Sequence, residues 1–324
     1  MHYFNRRQFS KILTGAGIAL ATGQKAWANG APMRIVVPFA PGGGGDVLGR
    51  LFADKMAPLL DRVIIVENKP GGSTTIGTDV VAKSKPDGNT ILLTIPLLLQ
   101  TSYLFKKLPY DPLKDIVPVV DLVKSPLWIA VSTQKTQANN IAELVKEVRA
   151  NPKTHVYGSI GNGSSSHILG NHLNQVAQVD MLHVPYKGSA QVSMALASGE
   201  ISMTILDLVT LGSLLPTGKV KLIAVTGAER SALTPNIPSL AEQGYPGFEL
   251  PTWAGFFVPK NTPADIVQKI HDVSVKVMNL PDVLPRLKDL GYVAGGKSQM
   301  EFQKQIDEEN VRWGRLIKGS GIEI

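Results

Sequence analysis

Short apolar runs alternate with amphipathic stretches along most of this chain. Met33–Val37 is a β-branched run closed by Pro38, which predicts a buried strand. Apolar residues then recur at helical spacing from Val47 to Ala53. Val63–Val66 and Thr90–Leu93 read as further strands, with a helix over Thr75–Ser84 between them. The pattern restarts in the middle of the chain. Trp128–Val131 reads as a strand, Ile141–Ala150 as an amphipathic helix, His155–Ser159 as a strand and His167–Val176 as a helix. Met181–Val184, Ile201–Leu206 and Leu222–Val225 add strands. After a last apolar run, Trp253–Val258, the chain reads as helical over Pro263–Met278, Asp282–Leu290 and Met300–Lys318. Strand–helix–strand alternation predicts an α/β fold with largely parallel sheets and helices on both faces. Its restart predicts two similar units facing across a cleft, with ligand outside the carboxyl ends of the strands.

Both units carry a glycine-rich turn between a strand and a helix. In Pro41-Gly42-Gly43-Gly44-Gly45-Asp46, four successive glycines remove every β-carbon, so backbone amides can approach a bound group closely. The helix start adds partial positive charge, which favours a carboxylate or phosphate. Asp46 is expected as the N-cap. Nucleotide binding does not fit: Asp46 stands where a P-loop needs Lys, and Val47 and Leu48 fill the positions where a dinucleotide fingerprint needs glycine. The second turn, Gly158–His167, repeats the logic with hydroxyl groups, through Gly161, Gly163, Ser164, Ser165 and His167. A third polar turn, Asn68–Gly77, places Ser73 and Thr74 before a helix. Asp207 follows the Ile201–Leu206 strand and is a candidate cleft residue.

The 324 residues suffice for two lobes, and the formal net charge of +7 changes meaning once located. Residues 1–28 hold Arg6, Arg7, Lys11 and Lys25 and no acid, which leaves 29 basic against 26 acidic residues, or +3, in the remainder. No basic run of nucleic-acid type lies there. Arg6-Arg7-Gln8-Phe9-Ser10-Lys11, a mild apolar stretch and Ala26-Trp27-Ala28 read as a twin-arginine-type signal peptide cleaved after Ala28, with Sec export as the alternative route. The absence of cysteine excludes a disulfide framework, thiolate metal sites and a Cys nucleophile. No G-x-S-x-G elbow and no H-E-x-x-H occurs, and His167 and His172 lie five apart, so neither catalysis nor a metal site is expected. An exported hydrolase using a Ser164–His167 pair is the alternative, and it lacks an orienting carboxylate.

The motifs in order resemble those of the Bug (Bordetella uptake gene) receptors, the extracytoplasmic solute-binding proteins of tripartite tricarboxylate transporters. They are Val37-Pro38-Phe39-Ala40-Pro41-Gly42-Gly43-Gly44 with Asp46, Glu67-Asn68-Lys69-Pro70-Gly71 with Ile76-Gly77, Lys85–Gly88, Leu108–Pro112, Gly161-x-Gly163-Ser164 with His167, His183-Val184-Pro185-Tyr186-Lys187-Gly188 and Leu222–Thr226. The resemblance implies a two-lobed, Venus-flytrap (type II-like) periplasmic-binding fold with residues 29–127 and 253–324 in one lobe and 128–252 in the other. It implies a small organic carboxylate, a di- or tricarboxylate or related acid, held between the two loops, partly through water, with Phe39 and Tyr186 at the site and the His183–Gly188 segment contributing backbone and side-chain contacts near the cleft. It implies a periplasmic monomer without cofactor that works with transporter membrane components. Three departures stand out: Gly45 where many members carry Thr, the Ser73-Thr74-Thr75 stretch, and a polar second loop with Asn162 and Ser164–Ser166.

Overall fold

The computed structural model describes residues 32–322 apart from Pro251. The signal segment and its cleavage site after Ala28 therefore lie outside the described residues. Two mixed sheets organise the rest. The first joins β1 (Met33–Val37), β2 (Ile64–Asn68), β3 (Thr90–Thr94), β4 (Ile116–Ser125), β10 (Thr252–Pro259) and β11 (Val293–Ala294) in the order β11-β4-β10-β3-β1-β2. The second joins β5 (Trp128–Ser132), β6 (Val156–Ser159), β7 (Leu182–Pro185), β8 (Met203–Leu206) and β9 (Val220–Val225) in the order β7-β6-β8-β5-β9.

Two of the five strand pairings in the first sheet and two of the four in the second are parallel, less than the strand–helix alternation predicts. β1 pairs in parallel with β2 and β3, and β6 with β7 and β8. The strands β10 and β5 run antiparallel to their neighbours on both sides. The reason is that chain passing between the sheets enters each one from the far end. β4 runs almost directly into β5 through Pro126-Leu127, and β10 brings the chain back. β4 escapes the sequence pattern because Pro118 and Asp121 interrupt its apolar run. Pro118 is tolerated opposite the register shift at Phe256/Phe257. Asp121, fully buried, accepts the amides of Gly296 and Lys297.

In each sheet the parallel strands reverse order about a central one, β1 or β6. These are the switch points whose carboxyl ends open a crevice. The glycine loop follows β1 and leads into α1 (Gly44–Leu60). The Gly/Ser loop follows β6 and leads into α5 (Ser165–Ala177). Around them lie α2 (Thr75–Ala82), α3 (Leu97–Leu104), α4 (Ile141–Ala150), α6 (Ser189–Ala197) and the short α7 (Leu208–Leu211). The C-terminal helices are α8 (Ala264–Met278), α9 (Val283–Asp289) and α10 (Gln299–Ser320). Helix starts are set by ordinary caps: Asn140 accepts the Glu143 amide, and Ser298 with Glu301 closes a capping box on α10. α10 packs Phe302 edge-on against Trp253, 5.1 Å between ring centres, in a core with Phe257 and Trp313. Among the described residues no helix is long and apolar enough to cross a membrane.

Candidate functional site

The carboxyl ends of five parallel strands converge on one cavity. β1 delivers Phe39 and Gly43–Gly45, β3 delivers Ile95, β6 delivers Ile160, β7 delivers Gly188–Gln191, and β8 ends in Asp207. The strands that link the sheets close the floor with Val123, Ser125, Thr252 and Trp253. The cavity leaves about 90 Å³ for the centres of water-sized molecules, where a single water needs roughly 10–15 Å³. It therefore has room for a compact organic molecule or several waters. Trp253 is locked in the wall, because its buried indole N–H donates to Glu309 Oε2 at 2.6 Å.

Two helix starts meet here, one from each sheet. Gly43, the N-cap of α1, has no side chain to offer, so the first-turn amides of Gly44, Gly45 and Asp46 have no acceptor within their own helix. Gly188 plays the same part for α6, ahead of Ser189, Ala190 and Gln191. Contact between the two is close. A β-carbon on Gly43 would stand 2.6 Å from Ser189 Oγ, and one on Gly188 would stand 3.8 Å from the Ala40 β-carbon. Each start carries unpaired donors and a partial positive charge, so the space between them suits an anion without any cationic side chain.

Asp46 is not the N-cap expected from sequence. α1 begins at Gly44 with Gly43 as its N-cap, three residues earlier than expected, so Asp46 sits in its first turn. From there its carboxylate reaches back to the Gly42 amide at 3.0 Å, and it also holds Asn68 Nδ2 and the Arg50 guanidinium. Burial alone would raise its pKa. The hydrogen bonds from Arg50, Gly42 and Asn68 outweigh burial and keep the carboxyl below its usual range. Asp46 shapes the glycine turn, while Gly42 itself, at φ 85°, makes the bend that only glycine enters freely.

The second loop is built differently. Three of its amides are engaged by side chains: Ile160 N–H donates to Ser166 Oγ, Gly161 N–H to Ser159 Oγ, and Gly163 N–H to His167 Nδ1. Ser164 caps α5 by accepting the His167 amide, and its hydroxyl bonds the Gly161 carbonyl. The His167 ring stacks on His183 with ring centres 3.7 Å apart, and His183 Nε2 meets Ser159 Oγ at 2.7 Å. Burial drives the His167 pKa down to about 4. Burial and then the neighbouring His167 drive that of His183 to about 3. Both rings are neutral at pH 7 and brace the loop. Ser165, with Ile160 and Ser166, is what this loop turns toward the cavity.

Of the residues expected at the site, Phe39, Gly43, Gly44, Gly45, Ser165 and Asp207 line the cavity. Gly42, Asp46, Gly161, Gly163, Ser164 and His167 support its walls from behind. Tyr186 turns away and donates to Glu200 Oε1 at 2.7 Å. Ser73 lies outside the cavity lining and donates to the Asn162 carbonyl at 2.7 Å, joining the third turn to the second loop. Thr74 beside it is buried, at φ 80°. Sequence reasoning placed Gly188 near the cleft as the end of the His183–Gly188 segment, but missed the helix it caps, together with Tyr292 and Trp253. Gly188-Ser189 was a legible helix-start signal, and Gly291, at φ 83°, a legible helix end just before Tyr292. Among the described residues no three His, Cys, Asp or Glu side chains group as a metal site.

A family model described as the tripartite tricarboxylate transporter family receptor, TctC, matches residues 48–322. BugT of Bordetella pertussis is 28% identical over 97% of this chain and 99% of its own length. Among solved structures, a Rhodopseudomonas palustris protein with adipate is 30% identical with a TM-score of 0.87, over 91% of this chain and 99% of the other. MatC of Rhodopseudomonas palustris, with bound malate, is 30% identical with a TM-score of 0.84, over 89% and 99%. The match in sequence and in the arrangement of two sheets about one cavity is of one kind throughout: this chain has the two-lobed periplasmic-binding fold and belongs to the TctC family of tripartite tricarboxylate transporter receptors.

Proposed function

We propose that the chain is a periplasmic receptor that captures a small organic carboxylate between its lobes and hands it to transporter membrane components without altering it. The observation that carries this reading is the meeting of two uncapped helix starts, Gly43–Gly45 and Gly188–Gln191, on one enclosed cavity. Amides fixed in space bind an anion and need no reorganisation, and a cleft that closes over the ligand supplies a shape a membrane partner can read. Similarity to proteins seen with adipate and malate supports a carboxylate ligand. The lobes of this reading are residues 29–127 with 253–324, and 128–252, and the protein acts as a monomer. Export would remove residues 1–28.

No chemistry is part of the proposal. The hydroxyl of Ser164 is occupied as a helix cap, and His167 Nδ1 accepts the Gly163 amide, so neither is poised as nucleophile and base. Titration of residues 29–324 with mono-, di- and tricarboxylates by isothermal calorimetry tests the function. The expected result is one-to-one binding of at least one acid with no product formed. A flat response to every acid would overturn it.

A further inference from the structure

The amides account for one carboxylate, and the rest of the cavity says what that carboxylate is attached to. Asp207 Oδ1 is committed to α7, accepting the Thr210 amide at 2.9 Å and its hydroxyl at 3.0 Å. Oδ2 faces the first turn of α1 instead. A β-carbon on Gly44 would stand 3.2 Å from Asp207 Oδ2 and 2.8 Å from Tyr292 Oη. An acceptor and a hydroxyl therefore sit directly beside the anion-binding amides, both on the cavity wall. Burial raises the pKa of Asp207, and burial with the adjacent Asp207 raises that of Tyr292 well above the usual range. A second ligand carboxylate would meet no buried cationic side chain in the lining. The rest of the lining is mostly apolar, with Phe39, Ile95, Val123, Leu127, Leu206 and Trp253, and its other polar groups are neutral: the hydroxyls of Ser125, Ser165, Ser166, Ser189 and Thr252 and the Gln191 amide; the one cationic residue, Lys187, is solvent-exposed.

We propose that this site selects a monocarboxylate that carries a hydrogen-bond donor, hydroxyl or ammonium, on the carbon next to the carboxylate, with an apolar remainder. Asp207 Oδ2 takes the donor, Tyr292 Oη bridges the carboxylate edge, and the aliphatic and indole walls enclose the rest. The proximity of Asp207 to Gly44 fixes the donor near the carboxylate rather than at the far end. An acceptor buried beside an anion site repels any ligand that brings only negative charge there, so it works by rejection as well as by attraction. This inference rests on the carboxylate reading above and narrows it.

Calorimetry on residues 29–324 at pH 8 with isovalerate, 2-hydroxyisovalerate, valine, malate and adipate tests the proposal. A hydrogen bond to a charged group predicts about tenfold or more tighter binding of 2-hydroxyisovalerate or valine than of isovalerate. Whichever of the two binds tighter identifies the donor as hydroxyl or ammonium. In Asp207→Ser, which keeps a capping oxygen for α7, that ratio should fall to about threefold or less. Equal affinity for isovalerate, adipate as the tightest ligand, or a ratio unchanged in Asp207→Ser would each overturn the inference while leaving a carboxylate receptor. Silence toward all five acids would overturn both. Should Asp207→Ser fail to fold, the wild-type ratio decides alone.

Discussion

The sharpest consequences sit on single glycines of the first loop. Gly43 has extended backbone, φ −89° and ψ 172°, which any residue adopts, so its constraint is space rather than conformation. A valine there would press on Ser189 Oγ and wedge the two helix starts apart. Gly43→Val is expected to lower carboxylate affinity by about a hundredfold, as loss of two or more charge-assisted hydrogen bonds implies, with a melting temperature close to wild type. Gly45 is a gentler case. Its added β-carbon would lie 3.2 Å from the Phe39 ring, itself part of the cavity wall. Gly45→Thr should therefore retain binding and re-order the preferred acids, as competition calorimetry would show. Both expectations follow from reading four glycines as a close-approach loop. The sequence could not say that Ser189 is the neighbour that makes Gly43 necessary, because contact between the two loops is a property of the folded chain.

Among the elements, the Gly/Ser loop differs most from its sequence reading. Glycines, serines and a histidine before a helix promise free donors, yet local side-chain bonds engage the Ile160, Gly161, Gly163 and His167 amides. The result is a rigid strut dependent on two neutral imidazoles. A native pKa of about 4 for His167 and about 3 for His183, against 6.5 unfolded, means the unfolded chain takes up protons first as pH falls. Stability is therefore unaffected by this pair above pH 6.5 and declines as pH drops from 6.5 toward 4. Thermal melts across that range should show the decline, and His183→Gln should flatten part of it. Periodicity found α4, Ile141–Ala150, to the residue, since its apolar face is regular. It missed α6, whose Ser-Ala-Gln start has neither acidic cap nor strong amphipathic pattern. It also missed β4, where Pro118 and buried Asp121 are explained only by a register shift and by amides from 175 residues away.

In the molecule as a whole, hydrogen bonds join elements of the two sheets beside the cavity. Gln100 Nε2 on α3 donates to Ser165 Oγ at 2.8 Å, with both residues buried, and Ser73 Oγ reaches the Asn162 carbonyl from a backbone at φ 51°. A non-glycine residue held in that region costs on the order of 1 kcal/mol, which a closing contact offsets. If closure is the working motion, these contacts belong to the closed state alone. Gln100→Ala should then speed ligand dissociation several-fold, as loss of one neutral hydrogen bond of about 1 kcal/mol implies, with little change in association. Stopped-flow tryptophan fluorescence reads this through Trp253 in the wall. Two units and a cleft were legible from the restart of the strand–helix pattern. The mixed sheets were not, because antiparallel insertion reflects how the chain crosses between units rather than any local preference.

An acid is expected between the helix starts of α1 and α6. Calorimetric titration of wild type and Gly43→Val, side by side with the same carboxylate, tests it most directly. One-to-one binding in wild type and about a hundredfold loss in a variant that melts normally are expected. Equal affinity in the two proteins would place the acid elsewhere and contradict it.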